Sequence, residues 1–289
     1  MNIFDRLMTL DRRWIFLFVA LVCVVTYAIP FTIKLNKSPE VKAVFNFIDT
    51  LKPNDVIFVA VDYDPSSLAE LHPMFYAIVE QAFRKHVKVI FSALSQNGPA
   101  MVDQAIKAVA DSVKQDRTYN GVFYKGRQVE NGVDYCFLGY KPYPALIILA
   151  MGQGFRIPFP TDYYGTPLDS LPMMRSIRNY DQVKCVVELS SGSSSDMWIT
   201  YGQSRYNFPL ALGLTGVMSA DYYPYLNSGQ VFGIMGGLLG AAQYEALADN
   251  PGEALDGMRI QVYAHLVIII FIIMGNIGFI LARRKARKG

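Results

Sequence analysis

The chain has 289 residues, of which 52% are hydrophobic and only 18% charged, and its 27 Lys and Arg against 24 Asp and Glu leave a net charge of +3. A mean hydropathy of +0.22 is too apolar for an ordinary soluble protein of this length, and it excludes disordered, collagen-like and small disulfide-scaffold chains. Two uncharged runs carry much of the excess, and the sequence between them is long enough for a proper core.

The first run, Trp14 to Ile33, holds no charged residue and is continuously apolar from Trp14 to Val25. At 1.5 Å per residue it is long enough to cross a hydrocarbon core of ~30 Å, and it reads as a retained anchor. A cleaved signal sequence competes for the same residues, with Arg12 and Arg13 as its basic start and Thr26-Tyr27-Ala28 as a small-residue site. Cys23 follows Ala20-Leu21-Val22, which lacks the small residue that lipid attachment needs directly before the cysteine, so it reads as a buried thiol.

After this run, Ser38-Pro39-Glu40 opens a short amphipathic helix through Val44, Phe45, Phe47, Ile48 and Leu51. The clearest unit follows. Val56 to Asp64 reads as a buried strand, Pro65 to Phe83 as a helix and Val87 to Leu94 as a second strand, which together make a right-handed parallel βαβ unit. The alternation continues with a helix over 99–113, a strand over 134–140, a helix over 144–151, a strand over 183–190, a helix over 196–206 and a strand over 210–214. The expected fold is α/β, an open and mostly parallel sheet with helices on both faces. Asn120 to Asn131 suggests a hairpin insertion, and Ile157 to Leu171 is the longest irregular stretch, either a functional or interaction surface or a cover over a sheet edge.

Tyr222 to Tyr244 is also uncharged, but Pro224 and Asn227 interrupt it and suit a buried or interfacial helix better than a third span. Within it Gly229, Gly233, Gly237 and Ala241 recur every fourth residue, predicting a helix with one bare face for close packing inside the domain or between subunits. The second long run, Ile260 to Ala282, reads as a spanning helix, with Gly275, Asn276 and Gly278 near its end as candidate interface residues.

Orientation follows from the basic residues. Arg6, Arg12 and Arg13 before the first run balance Lys34, Lys37 and Lys42 after it, whereas the tail from Arg283 carries five basic residues against Arg259 at the other end of its run. The segment from Lys34 to Arg259 holds 19 basic and 22 acidic residues. The basic pI is therefore a topology signal and gives no support for nucleic-acid binding. The expected organisation is a cytoplasmic N-terminus over 1–13, spans over 14–33 and 260–282, an extracytoplasmic α/β domain over 34–259, and a basic cytoplasmic tail over 283–289, in a bacterial-type cell membrane.

Loops leaving the carboxyl ends of parallel strands line the usual ligand crevice. Those loops hold Asp62 and Asp64, then Ser92, Ser95 and Asn97, then Ser191-Gly192-Ser193-Ser194-Ser195-Asp196, and finally Thr215, Ser219 and Asp221. Asp62 and Asp64 could share a side as a cation site or general base, or Asp64 could cap the following helix while Asp62 holds a loop. The serine loop could hold an anion, or Ser195 or Asp196 could simply cap a helix. No phosphate loop or dinucleotide glycine motif follows the first strand, and His72, His86 and His265 stand outside any nucleophile motif. Cys136 and Cys185 fall on predicted strands and read as unpaired thiols, with a disulfide as the alternative; no metal-ligand spacing is present, and no cofactor is expected.

Two functions from different classes follow. One is a non-enzymatic subunit of a larger membrane complex, in contact with lipid and with copies of itself or other membrane subunits. The other is a ligand-binding or hydrolytic domain that uses Asp62, Asp64 and the 191–196 loop.

Overall fold

A computed structural model describes residues 11–29 and 35–286, which form two compact units, one built from the terminal segments and one from Leu35–Leu255. Residues 30–33 of the expected first span, most of the expected N-terminal segment and residues 287–289 of the basic tail lie outside the described residues.

In the central unit, a six-stranded sheet runs in the order β5-β2-β1-β6-β7-β8, and every neighbouring pair is parallel. Its strands are β1 (Val56–Asp62), β2 (Lys88–Ala93), β5 (Tyr135–Tyr140), β6 (Val186–Ser190), β7 (Leu210–Leu214) and β8 (Gly233–Gly236), while β3 (Arg117–Tyr119) and β4 (Val122–Tyr124) make a separate hairpin. The hairpin turns at Asn120-Gly121, both at positive φ, so it lies a few residues earlier than the sequence placed it. β1, β6 and β7 are buried along their whole length, which is why they read as unbroken apolar runs.

The helices of the described chain are α1 (Arg12–Ala28), α2 (Pro39–Thr50), α3 (Leu68–Arg84), α4 (Gly98–Val113), α5 (Pro144–Gln153), α6 (Ser194–Met197), α7 (Ser204–Tyr206), α8 (Tyr223–Asn227), α9 (Gly237–Leu247) and α10 (Glu253–Ala286). A π-helical turn, Trp198–Gln203, joins α6 to α7. One sheet face packs on α2, α3 and α9, with Phe75 and Phe83 of α3 meeting Phe91 of β2. The other face carries Phe58, on which Phe155 stacks, with Tyr180 meeting it edge-on and Trp198 tilted against it. The irregular stretch after α5 supplies buried Phe155, Phe159, Leu168, Leu171, Met174 and Ile177 to that face, so it is a cover over the sheet with short 3-10 turns.

The glycine series requires a correction. Gly229, Gly233, Gly237 and Ala241 do not lie on one helix: Gly229 is in a turn at φ +79°, Gly233 opens β8, Gly237 starts α9 at φ +58°, and Ala241 is inside α9. Spacing by four imitates a helical face, but the run 229–237 crosses three structural elements. A Cβ on Gly233 would fall 2.8 Å from the Glu40 carbonyl oxygen and against Val44, so this glycine lets α2 approach the edge strand closely. The close packing expected of the glycines is therefore present inside the domain, on a strand.

Cys136 on β5 and Cys185 next to β6 are free and buried, and β2 and β1 lie between their strands, so no bridge joins them. Burial pushes both thiols well above their usual range.

The start of α10 is held by a side chain. The Glu245 carboxylate accepts from the backbone amides of Gly252 at 3.0 Å, Ala254 at 3.1 Å and Leu255 at 2.8 Å, which meets the demand of the first amides of a helix that have no partner within it. Among the described residues one helix, Glu253–Arg284, is long and apolar enough to cross a membrane. In the terminal unit α1 has 17 residues, about 26 Å at the helical rise, and is short of a full crossing over its described length. Phe18 of α1 meets Phe271 of α10 edge-on at 5.7 Å between ring centroids.

Candidate functional site

The sheet order reverses direction at β1: from there the chain builds outward to β2 and β5 on one side and to β6, β7 and β8 on the other. Loops diverge at such a switch point and leave a crevice above the carboxyl ends of the two central strands. Asp62 and Ser190 are the last paired residues of β1 and β6, so the crevice opens directly above them. A polar cleft of about 200 Å³ lies there, lined by Asp62, Asp64, Leu94, Ser95, Pro144, Ser191, Gly192, Ser193, Ser194 and Met197.

Seven of the ten ligand residues expected from sequence therefore meet in one place. Ser92, Ser195 and Asp196 do not line it. Ser92 is fully buried on β2, and its hydroxyl has no hydrogen-bond partner among the described residues. Ser195 turns its hydroxyl down to Glu188, and Asp196 lines a neighbouring recess with Met218, Asp221, Tyr222 and Tyr225. Neither Ser195 nor Asp196 caps α6, whose cap position is Ser193 with no side-chain hydrogen bond to the helix.

The two aspartates have separate tasks. Asp62 is almost fully buried; its Oδ1 accepts from the Leu94 amide at 2.6 Å and its Oδ2 from the Trp198 indole Nε1 at 3.0 Å. Burial nevertheless raises its pKa to about 6, because the two donors only partly offset the loss of water around the charge. Asp64 stands at the mouth, where its Oδ1 accepts from Ser95 Oγ at 2.9 Å and Asn97 Nδ2 at 3.1 Å, tying the β1 loop to the β2 loop. It makes no side-chain cap to the turn at Pro65, so the capping role read from sequence is not the one it performs. The Asp64 amide faces Ser191 Oγ at 3.3 Å, which adds the β6 loop to the same knot.

Beneath the serine loop lies a residue that sequence reasoning missed. Glu188 of β6 is fully buried, and its carboxyl accepts from Ser194 Oγ at 2.8 Å and Ser195 Oγ at 2.7 Å. Burial first, then the nearby charge of Asp62, push its pKa up to about 8, against the pull of the serine hydroxyls. Ser194 Oγ also lies 2.6 Å from Ser190 Oγ. The signal was present as one acidic residue inside the buried run Val186-Val187-Glu188-Leu189. Such a residue needs compensation that linear sequence does not display.

No histidine lines the cleft. His72 Nδ1 instead meets the Tyr63 hydroxyl at 2.8 Å beside Phe75 and Tyr76 of α3. Among the described residues no group of three or more His, Cys, Asp or Glu is placed to hold a metal ion.

No family model, curated protein or solved structure matches the chain.

Proposed function

We propose that this is a two-pass membrane protein, anchored by the segment 14–33 and by α10, whose central α/β domain binds a small polar ligand outside the cytoplasm. The observation that carries the binding reading is the convergence of Asp62, Asp64, Ser95 and Ser191–Ser194 on one cleft at the β1/β6 switch point. Its lining holds two carboxylates and no basic side chain, so a phosphate would meet repulsion, whereas a neutral polyol or a primary amine would find acceptors. The basic residues from Arg283 onward, at the end of α10 and beyond it, favour both termini inside. The Phe18–Phe271 contact gives the shorter α1 a partner for its apolar side.

Thermal unfolding of the detergent-solubilised full chain tests the binding. Simple polyols or primary amines at millimolar concentration should raise Tm by a few degrees, and inorganic phosphate should not. Asp64→Ala, at the exposed mouth, should remove the response. A response to phosphate alone, or to none of the three, would sink the reading.

A second reading, assembly with further copies or other membrane subunits, is favoured by Asn276. This amide is exposed on the apolar part of α10, beside Gly275, where open space surrounds the position of a side chain. An amide facing hydrocarbon gains by bonding across to another helix, worth roughly 1 kcal/mol per contact. Mass measurement in mild detergent should show an assembly that Asn276→Leu weakens, and a wild-type monomer at all concentrations would end this reading.

A further inference from the structure

Among the serines of the loop, Ser194 alone combines three properties. It lines the cleft, it is only partly buried, and its hydroxyl donates at 2.8 Å to a carboxyl group lying beneath it. Ser191 and Ser193 line the cleft without touching Glu188, and Ser195 touches Glu188 without lining the cleft. A weakly nucleophilic hydroxyl becomes effective when a general base sits within hydrogen-bond reach and is itself held in place. Glu188 meets both conditions. It is fixed on a central strand, its second oxygen is held by Ser195, and it is fully shielded from water.

We propose that Ser194 is a nucleophile and Glu188 its general base, and that the cleft hydrolyses small neutral or cationic carboxylic esters or amides. This rests on the reading that the cleft accepts a ligand. In the first step Ser194 Oγ forms a bond to the substrate carbonyl carbon as its proton passes to the Glu188 carboxylate. The bond from that carbon to the leaving alcohol or amine then breaks, and the leaving group takes the proton from Glu188. Water attacks the resulting acyl ester of Ser194, gives one proton to Glu188 and releases the carboxylic acid. Ser194 recovers its proton from Glu188, so the net reaction consumes one water. Burial keeps the proton affinity of Glu188 far above that of an exposed carboxylate, which suits a base working at about pH 8 and above, where it is ionised. The Asp62 and Asp64 carboxylates disfavour anionic substrates, which sets the charge class.

The test uses the full chain in detergent and diisopropyl fluorophosphate, a small neutral probe that phosphorylates activated serines with loss of fluoride. Peptide mass analysis should find the label on Ser194, and Ser194→Ala should remove it. Glu188→Gln should slow labelling by about a hundredfold or more, the range typical of a lost general base. Absence of label on the folded wild-type protein, label on Ser190, Ser191 or Ser193 instead, or undiminished labelling of folded Glu188→Gln would each overturn the assignment. Ser194→Ala exchanges one partly buried hydroxyl and keeps the proposal testable even if Glu188→Gln does not fold. If polyols or amines still raise Tm while no serine is labelled, the catalytic inference fails and the binding reading stands. If both measurements are negative, the two fall together.

Discussion

Raising the pH from about 5 to about 9 is expected to lower the stability of the central domain by on the order of a few kcal/mol, and Glu188→Gln to remove most of that loss. The sign follows from proton counting. Glu188 moves from 4.5 when unfolded to about 8 when folded, and Asp62 from 3.8 to about 6. Between those limits the folded chain holds protons that the unfolded chain has released, so stability falls as pH rises. The penalty is absent below the unfolded values, accumulates through the interval and is complete above the folded value of Glu188. Asp62 on β1 and the Tyr222 hydroxyl are ionisable neighbours that face Glu188, and the charge of Asp62 adds to the rise. Thermal melts of wild type and Glu188→Gln across this range check the expectation. Parallel curves for the two proteins would show that Glu188 is not the group that carries the dependence.

Removing the Glu80 carboxylate should cost about 3–5 kcal/mol, the range for breaking a buried ion pair by deleting one partner. Glu80 on α3 accepts from Arg84 Nε at 2.8 Å, from Arg117 at 3.0 Å and from Asn250 Nδ2 at 3.2 Å. The Arg84 side chain is only 1% exposed. In Glu80→Ala its guanidinium would retain only the carbonyl oxygens of Ser112 and Gln115, at 3.3 and 3.2 Å, which cannot neutralise it. The segment after α9 would lose its Asn250 bond to α3 in the same change, and the hairpin strand β3 would keep only the Tyr119 hydroxyl on the Ala77 carbonyl oxygen. Replacing both partners, Glu80→Leu with Arg84→Met, should recover much of the loss, because no unpaired charge then remains in the interior. Urea unfolding of the single and double variants decides the matter, and a double variant no better than Glu80→Ala would refute the charge argument.

The parts of the fold that were legible in the sequence are those where local pattern and tertiary burial agree. β1, β2 and α3 announce themselves because a fully buried parallel strand needs an unbroken apolar run and a covering helix needs a 3.6-residue stripe. β8 was hidden because four residues, two of them glycine, carry no period of their own, and glycines spaced by four present a false helical face. The extent of the cleft was half legible. Position at strand ends pointed to Asp62, Asp64 and the serine loop, but which loops meet depends on the pairing of β1 with β6, which joins residues more than a hundred positions apart. Glu188, Trp198 and Met197 enter the site only through that pairing and the path of the chain after it. Their roles were therefore invisible to spacing.

The π-helical turn at Trp198–Gln203 fixes where the indole above Asp62 lies. Such a turn closes its hydrogen bonds one residue further along than an α-helical one and is wider by that residue. Taking that residue out would swing everything on one side of it by about 100° relative to the other. The indole that now reaches Asp62 and the aromatic stack around Tyr180 and Phe208 could not both keep their seats. A chain shortened by one residue in this turn would leave the buried aspartate with one donor fewer, so the width of the turn and the floor of the crevice are linked.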